Sequence, residues 1–158
     1  MKLLIVSDSH GDWCILQTLV EKENPDAVLH LGDHIGDAQK LSILCPHIPV
    51  EAVSGNCDGF FPKDGTDLVL SYEGVRFFLT HGHAYGVKSG LHHLSFAGRN
   101  AQVDAILFGH THQACVDKTK DGVWMVNPGT AGGVHAPASY VLAHVKQGKV
   151  NFELKWME

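Results

Sequence analysis

The chain has 158 residues, 44% of them hydrophobic and 18% charged, and a formal net charge of −5 at pH 7. That length fits one domain with one sizeable core, and the composition is that of an ordinary globular protein. The acidic balance and the lack of a Lys/Arg cluster argue against stable nucleic-acid binding through phosphate contacts.

The apolar stretches and the cysteines bear on location. No stretch reaches the length of a membrane span, and the start "MKLLIVSDSHGDW" has too short an apolar run for a signal peptide. Cys14, Cys45, Cys57 and Cys115 lie far apart and form no C-x-x-C pair. We therefore expect a cytoplasmic protein with reduced thiols, no membrane association and no zinc site built from cysteine pairs.

The first half of the chain alternates predicted strands with predicted helices. The continuous apolar run "KLLIVSD" is typical of a strand buried on both faces, and helical spacing of apolar residues then continues until Asn24-Pro25. A strand "AVLHLGD", a helix "AQKLSILC" and a strand "VEAVSGN" follow. This order predicts parallel strands joined by right-handed crossovers.

The second half is dominated by predicted hairpins. "DLVLSYEGVRFFLTHG" turns at Glu73-Gly74, "ACVDKTKDGVWMVN" at Asp121-Gly122, and "SYVLAHVKQGKVNFELKW" at Gln147-Gly148. Between the first two lie a helical stretch, "SGLHHLSFAGRN", and an apolar run, "AILFGH". The sum predicts one α/β domain over residues 1–158: two sheets packed face to face as a β-sandwich, with helices outside.

Five apolar runs each end in a metal-competent residue beside a glycine. They read "LLIVSDSHG", "VLHLGD", "AVSGN", "FFLTHG" and "ILFGHTH", and they supply Asp8, His10, Asp33, Asn56, His81, His110 and His112. Ligand sites in open α/β sheets lie outside the carboxyl ends of the strands, so these segments are expected to meet. Extended backbone would point residues i and i+2 the same way, which pairs Asp8 with His10 and His110 with His112.

This set of ligands exceeds what one four-coordinate ion needs. It suits two adjacent divalent ions bridged by a carboxylate, as in hydrolases that act on phosphoryl groups. Imidazole, carboxylate and amide ligands without thiolate suit Mn, Fe, Zn, Co or Ni better than Ca or Mg alone. We expect manganese first, with Ni, Co, Fe, Zn and Mg as alternatives.

The ordered series "DSH", "GD", "GNCD", "THGH" and "GHTH", followed by "NPGT", resembles the calcineurin-like metallophosphoesterase superfamily. It is most similar to the small single-domain phosphodiesterases of bacteria and archaea. The resemblance implies a β-sandwich flanked by helices and a centre of two metal ions that activates hydroxide for in-line attack on phosphorus. It implies one ion held by Asp8, His10 and His112, a second held by Asn56, His81 and His110, and Asp33 as the bridge.

Three more residues are candidates for contact with a small or nucleotide-like phosphodiester. His34 follows the bridging carboxylate and is a predicted substrate contact, with an exposed loop histidine as the alternative. His83 follows a predicted ligand and is predicted to contact either the substrate or a metal ligand, with an ordinary turn residue as the alternative. In much of the superfamily a histidine stands where this chain has Cys57, and that histidine is held to protonate the leaving oxygen. Cys57 is therefore either a weak catalytic group beside Asn56 or, as we favour, a small packing residue, which leaves no strong general acid.

Two other functions compete with the phosphodiesterase. The same fold resembles a subunit of the retromer coat, a non-catalytic protein-binding scaffold in which the site is degraded, whereas all the ligand positions here carry competent residues. A structural metal domain would need closed coordination, which this number of ligands over two ions does not give. The oligomeric state stays open, a homo-oligomer included.

Overall fold

The computed structural model describes residues 1–59 and 67–158. Within them the chain forms two five-stranded sheets, three α-helices and one short 3-10 helix. The first part contains β1 (Lys2–Val6), α1 (Trp13–Glu23), β2 (Ala27–His30), α2 (Ile35–Leu44) and β3 (Val50–Ala52). The second contains β4 (Asp67–Tyr72), β5 (Val75–Thr80), the 3-10 helix (His83–Tyr85), α3 (His92–Asn100), β6 (Ala105–Leu107), β7 (Cys115–Lys118), β8 (Trp124–Asn127), β9 (Ser139–Lys146) and β10 (Lys149–Trp156).

Both sheets are mixed, each with three parallel strands and two strands that pair antiparallel. The first has the order β10-β9-β1-β2-β3, and its strands β1, β2 and β3 run parallel as the alternating pattern predicts. The second has the order β4-β5-β6-β8-β7, with β5, β6 and β8 parallel. The hairpins β4–β5, β7–β8 and β9–β10 form as predicted, and the last of them pairs with β1.

The main hydrophobic core lies between the sheets. Leu3 and Ile5 of β1 pack there with Phe77 of β5 and Leu107 of β6. Alternate residues of a strand face opposite ways, so Leu4 and its neighbours pack instead under α1 and α2. A third cluster lies between α3 and the outer face of the second sheet. The predicted sandwich with outer helices is therefore confirmed as a four-layer α/β/β/α arrangement.

Helix α1 begins and ends at residues that its sequence marks. The Asp12 side chain accepts a hydrogen bond from the Ile15 backbone N–H at 3.2 Å, which caps the first turn. Asn24 closes the helix in the left-handed conformation and Pro25 follows it. Among the described residues, no helix is long and apolar enough to cross a membrane.

Candidate metal centre

The predicted ligands lie on the loops that leave the carboxyl ends of β1, β2, β3, β5 and β6. We expected extended backbone in these loops, but the structure shows a different conformation. Asp8, His10, Asp33, His110 and His112 all have left-handed backbone, with φ of 52°, 49°, 57°, 70° and 57°. Non-glycine residues in this region each cost on the order of 1–3 kcal/mol and cluster at functional sites. The extended-backbone reason given for pairing i with i+2 was therefore wrong, although the side chains still converge.

One group of ligand atoms surrounds the Asp8 carboxylate. Asp8 Oδ1 lies 3.1 Å from His112 Nε2 and 3.9 Å from His10 Nε2, and the two imidazole nitrogens are 3.3 Å apart. One ligand atom from each of Asp8, His10, Asp33 and His112 falls within 4.8 Å of the others. Asp33 thus belongs to this group by position.

A second group adjoins the other side of Asp33. His81 Nε2 lies 3.4 Å from Asp33 Oδ1 and 3.1 Å from Asn56 Oδ1. The ring of His110 packs edge-on against that of His81, with centroids 5.0 Å apart. The two histidines of the H-x-H motif therefore belong to different groups, since His112 approaches Asp8 and His110 approaches His81. The structure brings all the predicted ligands together around Asp8 and Asp33.

The atoms that face one another across this centre are nearly all hydrogen-bond acceptors. His81 Nδ1 lies 2.7 Å from the Leu31 carbonyl and His112 Nδ1 lies 2.7 Å from the Val134 carbonyl. A carbonyl only accepts, so both Nδ1 atoms carry the proton and both Nε2 lone pairs face the site. Asp8 Oδ1 is buried and has no hydrogen-bond partner among the described residues. Acceptors that face each other at 3.1–3.4 Å require a cation or a proton between them, so these residues fit a divalent metal.

The pKa shifts of Asp8, Asp33 and His81 also indicate that this centre favours a bound positive charge. Burial raises the pKa of Asp8, and the nearby imidazoles of His81 and His112 offset only part of the rise. Burial also opposes ionisation of Asp33, but the hydrogen bond and charge of His81 hold the pKa of Asp33 well below its usual range. For His81 itself, burial is outweighed by these carboxylates, which raise its pKa. Protons therefore compete with metal ions for this centre.

His110 has a different environment. Burial, the charge of His81 and the charge of Lys88 lower the pKa of His110 to about 4. Its imidazole is accordingly neutral at pH 7. A neutral imidazole is the form that binds metal ions.

Asp58 fastens the loops that carry the second group. Its buried carboxylate accepts hydrogen bonds from the backbone N–H groups of Asp33 (2.9 Å), Gly55 (2.7 Å) and Ile35 (2.7 Å). These donors belong to the loops after β2 and β3 and to the first residue of α2. Cys57 N–H in turn donates to Asp33 Oδ1 at 3.0 Å, which fixes the direction of that carboxylate. Asp58 is thus a positioning residue for Asp33.

A buried hydrogen-bond chain fastens the loop after β1. The Ser9 hydroxyl donates to Asp37 Oδ2 at 2.6 Å and lies 2.9 Å from His30 Nε2. His30 Nδ1 accepts from the Gly32 N–H at 3.2 Å, so the His30 proton is on Nε2 and donates to Ser9. This chain ties the segment between Asp8 and His10 to β2 and α2.

Two glycines let the loops approach the carboxylates closely. A Cβ atom on Gly55 would collide with Asp33, meeting its backbone N at 2.6 Å. A Cβ atom on Gly109 would collide with the Ser7 hydroxyl and lie 2.9 Å from Asp8 Oδ2. Ser7 donates to that same Asp8 oxygen at 2.6 Å. Gly55 and Gly109 are therefore required by space rather than by backbone angle.

The predicted substrate contacts His34 and His83, and Cys57, lie beside the predicted metal ligands. His34 is exposed with its ring centroid 5.4 Å from that of His10, and the ring of half-buried His83 is 5.5 Å from that of His81. Cys57 is exposed, which does not match the favoured interpretation of a packing residue. Partial burial and the Asp33 charge raise the pKa of the Cys57 thiol, so it stays protonated at neutral pH. Their roles in binding or catalysis stay predictions.

Sequence reasoning missed the residues that hold the ligands in place. Asp58 was part of a noted motif, and an Asp at a turn that bonds backbone N–H groups is a recognisable signal. No local signal marks Ser7, Ser9 or Asp37, because their partners are distant or depend on the loop geometry. His30 is fully buried in the hydrogen-bond chain described above.

Comparison with known sequences places these features in one family. The sequence model described as the calcineurin-like phosphoesterase superfamily domain matches residues 1–148. The chain is 38% identical over 132 residues to the "probable metallophosphoesterase YsnB" of Bacillus subtilis, covering 82% of this chain and 75% of that protein. It is 27% identical over 149 residues to "phosphodiesterase MJ0936" of Methanocaldococcus jannaschii, covering 84% and 86%.

Solved structures share the fold at lower identity. A predicted phosphoesterase from Streptococcus pneumoniae superposes with a TM-score of 0.80 at 22% identity, covering 97% of this chain and 87% of that one. Vps29 from Entamoeba histolytica, in complex with Zn²⁺, superposes with a TM-score of 0.77 at 21% identity, covering 99% of each chain. At such identities these structures show the fold alone.

Proposed function

Because the chain belongs to the calcineurin-like phosphoesterase superfamily, we propose that it is a phosphodiesterase with two divalent metal ions. Its substrates would be small or nucleotide-like phosphodiesters. The observation that carries the proposal is the set of lone pairs facing one another between Asp8, Asp33, His81 and His112. The phosphodiesterase name of the Methanocaldococcus jannaschii relative supports the choice of diesters.

Each group of ligands would hold one ion. Asp8, His10 and His112 would bind the first, and His81, His110 and Asn56 the second. The position of Asp33 within reach of both groups supports its role as the bridge. When bound, the ions supply Lewis acidity that activates water and neutralises negative charge on the phosphoryl group during in-line displacement. Manganese is the first candidate, because the ligands combine imidazole, carboxylate and amide without thiolate.

His83 and His34 would orient the substrate. His83 Nδ1 is buried without a partner among the described residues, so a proton there would have no acceptor. The proton of neutral His83 is therefore assigned to Nε2, where it is available to a phosphoryl oxygen. His34 would serve similarly on the side of His10. Asn56 would combine metal binding with orientation of the substrate, and Cys57 would contribute little.

The test combines metal analysis with a substrate screen. Purified protein is loaded with Mn²⁺, Ni²⁺, Co²⁺, Fe²⁺, Zn²⁺ or Mg²⁺ and assayed on bis(p-nitrophenyl) phosphate and p-nitrophenyl phosphate. We expect diester turnover above monoester turnover, lost in Asp33→Asn and kept in the matched exposed control Asp117→Asn. Bound metal with no hydrolysis of any ester under all six ions would overturn the proposal.

A non-catalytic scaffold is the second candidate, supported by the similarity to Vps29. That neighbour was solved with Zn²⁺, so metal binding alone does not separate the two functions. Turnover does, and the complete set of ligands in this chain favours the enzyme. A cytoplasmic location is part of the proposal, because all four cysteines are free thiols, as expected in a reducing compartment.

A further inference from the structure

A cleft of about 370 Å³ opens beside the metal centre on the side of His110 and His112. We call it the Lys88 cleft, after the lysine that lines it together with these two histidines, Thr111, Gln113, His135 and Ala136. Its lining contains no carboxylate among the residues that the structure describes. The cleft is the right size for a small organic substituent, because ligand sites commonly enclose about 300–1,000 Å³.

Lys88 places a positive charge in the wall of the cleft. Its side chain forms no ion pair or hydrogen bond within residues 1–59 and 67–158. In contrast, Arg99 pairs with Asp121, and Lys155 pairs with Glu23 and Glu153. Lys88 lines the same cleft as His110, which is a predicted metal ligand. An exposed ammonium group therefore lies in the same cleft as a predicted metal ligand, in a chain of net charge −5.

We propose that the Lys88 cleft binds a second anionic group of the substrate, a phosphate on the ester substituent, and that Lys88 determines this specificity. The inference rests on the proposed function and names the substrate class more narrowly. Bound metal ions would neutralise the phosphoryl group under attack, so a simple diester would gain nothing from Lys88. A substituent with its own phosphate, in contrast, would place negative charge in the cleft, where the Lys88 ammonium group can pair with it.

The size of the preference follows from exposure. Lys88 is exposed, so its contact with an anion is screened by water and salt. One such pair contributes up to about a fivefold change in affinity or rate. The His135 ring, stacked on His112 with centroids 6.1 Å apart, also lines the cleft and adds a further N–H donor.

The kinetic test compares two substrates with the same leaving group. They are the p-nitrophenyl ester of thymidine 5′-phosphate and the same compound with a 3′-phosphate. We expect the wild type to show about fivefold higher kcat/KM on the second compound at low salt, with the preference lost at high salt. Lys88→Met should abolish the preference without affecting the first compound, and Lys88→Glu should invert it. The exposed control Lys120→Met should behave as wild type.

A binding test decides the inference independently of turnover. The affinity of thymidine 3′,5′-bisphosphate is compared with that of thymidine 5′-phosphate by calorimetry, using Mn²⁺-loaded wild type and Lys88→Met. A fivefold preference that Lys88→Met removes supports the cleft even if no ester is hydrolysed, an outcome that would overturn only the proposed function. The inference is overturned if wild type shows no preference, or if the preference survives in Lys88→Met. It is also overturned if Lys88→Met loses activity on bis(p-nitrophenyl) phosphate.

Discussion

Removal of the Asp58 carboxylate should destabilise the protein more than removal of any exposed acid. Asp58 Oδ2 accepts from two backbone N–H groups and Oδ1 from a third, at 2.7–2.9 Å and with the residue only 8% exposed. Asp58→Asn keeps one acceptor oxygen for the Asp33 and Gly55 donors. Its NH₂ group must then face the backbone N–H of Ile35, so that two hydrogen-bond donors point at each other with no acceptor between them.

The magnitude follows from these bonds. In Asp58→Asn, the loss of one charge-assisted hydrogen bond and the burial of one unpaired donor together cost about 3 kcal/mol. Asp58→Ala leaves three donors unpaired and costs about 5 kcal/mol. For a chain of this size, 3 kcal/mol lowers the melting temperature by roughly 6–12 °C. Asp33 also loses its anchor, so metal affinity should fall with stability.

The measurement is urea unfolding of the metal-free protein, followed by circular dichroism, so that metal binding does not contribute. The matched control is Asp104→Asn, because Asp104 accepts a single backbone N–H, from Arg76 at 2.8 Å, at an exposed position. We expect less than about 1 kcal/mol for the control. If Asp58→Asn is destabilised no more than Asp104→Asn, the account of Asp58 as the loop anchor is wrong.

Four further outcomes follow from the site. Asp33→Asn should retain less metal than His112→Ala, because Asp33 lies within reach of both ligand groups whereas His112 belongs to the first group; metal content equal to wild type would refute the bridge. Bound Mn²⁺ should leave as pH falls through about 6, since imidazoles such as His81 bind only when deprotonated, and stoichiometric metal at pH 4 would contradict this. Burial lowers the pKa of His30 from 6.5 to about 4, so the contribution of neutral His30 to the stability of the metal-free protein is complete above pH 6.5 and falls by about 3 kcal/mol as pH falls to 4. Urea titrations should show this loss in wild type, and an equal loss in His30→Gln would exclude His30 as its cause. Cys57→His should raise turnover of monoesters and alkyl diesters, by up to about 100-fold, whereas Cys57→Ala should leave aryl diester turnover nearly unchanged. Loss of that turnover in Cys57→Ala with both metals bound would show that the thiol takes part.

The sequence by itself determined the elements and the residues that meet. Continuous apolar runs marked β1 and β2, because strands buried on both faces have no polar side. The repeated pattern of a strand followed by a ligand and a glycine placed Asp8, Asp33 and His81 at one edge of the sandwich. Such information is local in the chain, since it depends on the period of an element and on which residue follows it.

Only the tertiary structure decided the pairing of elements and the conformation of the loops. The last hairpin joins β1 across nearly the whole chain length, and its apolar pattern would suit either sheet. Asp8 and His112 have left-handed backbone, and their side chains are held by the adjacent Ser7 and by more distant partners: Ser7 and the His110 N–H donate to the Asp8 carboxylate, and His112 Nδ1 donates to the Val134 carbonyl. Backbone strain and buried hydrogen bonds of this kind depend on partners up to a hundred residues apart, which no local pattern encodes.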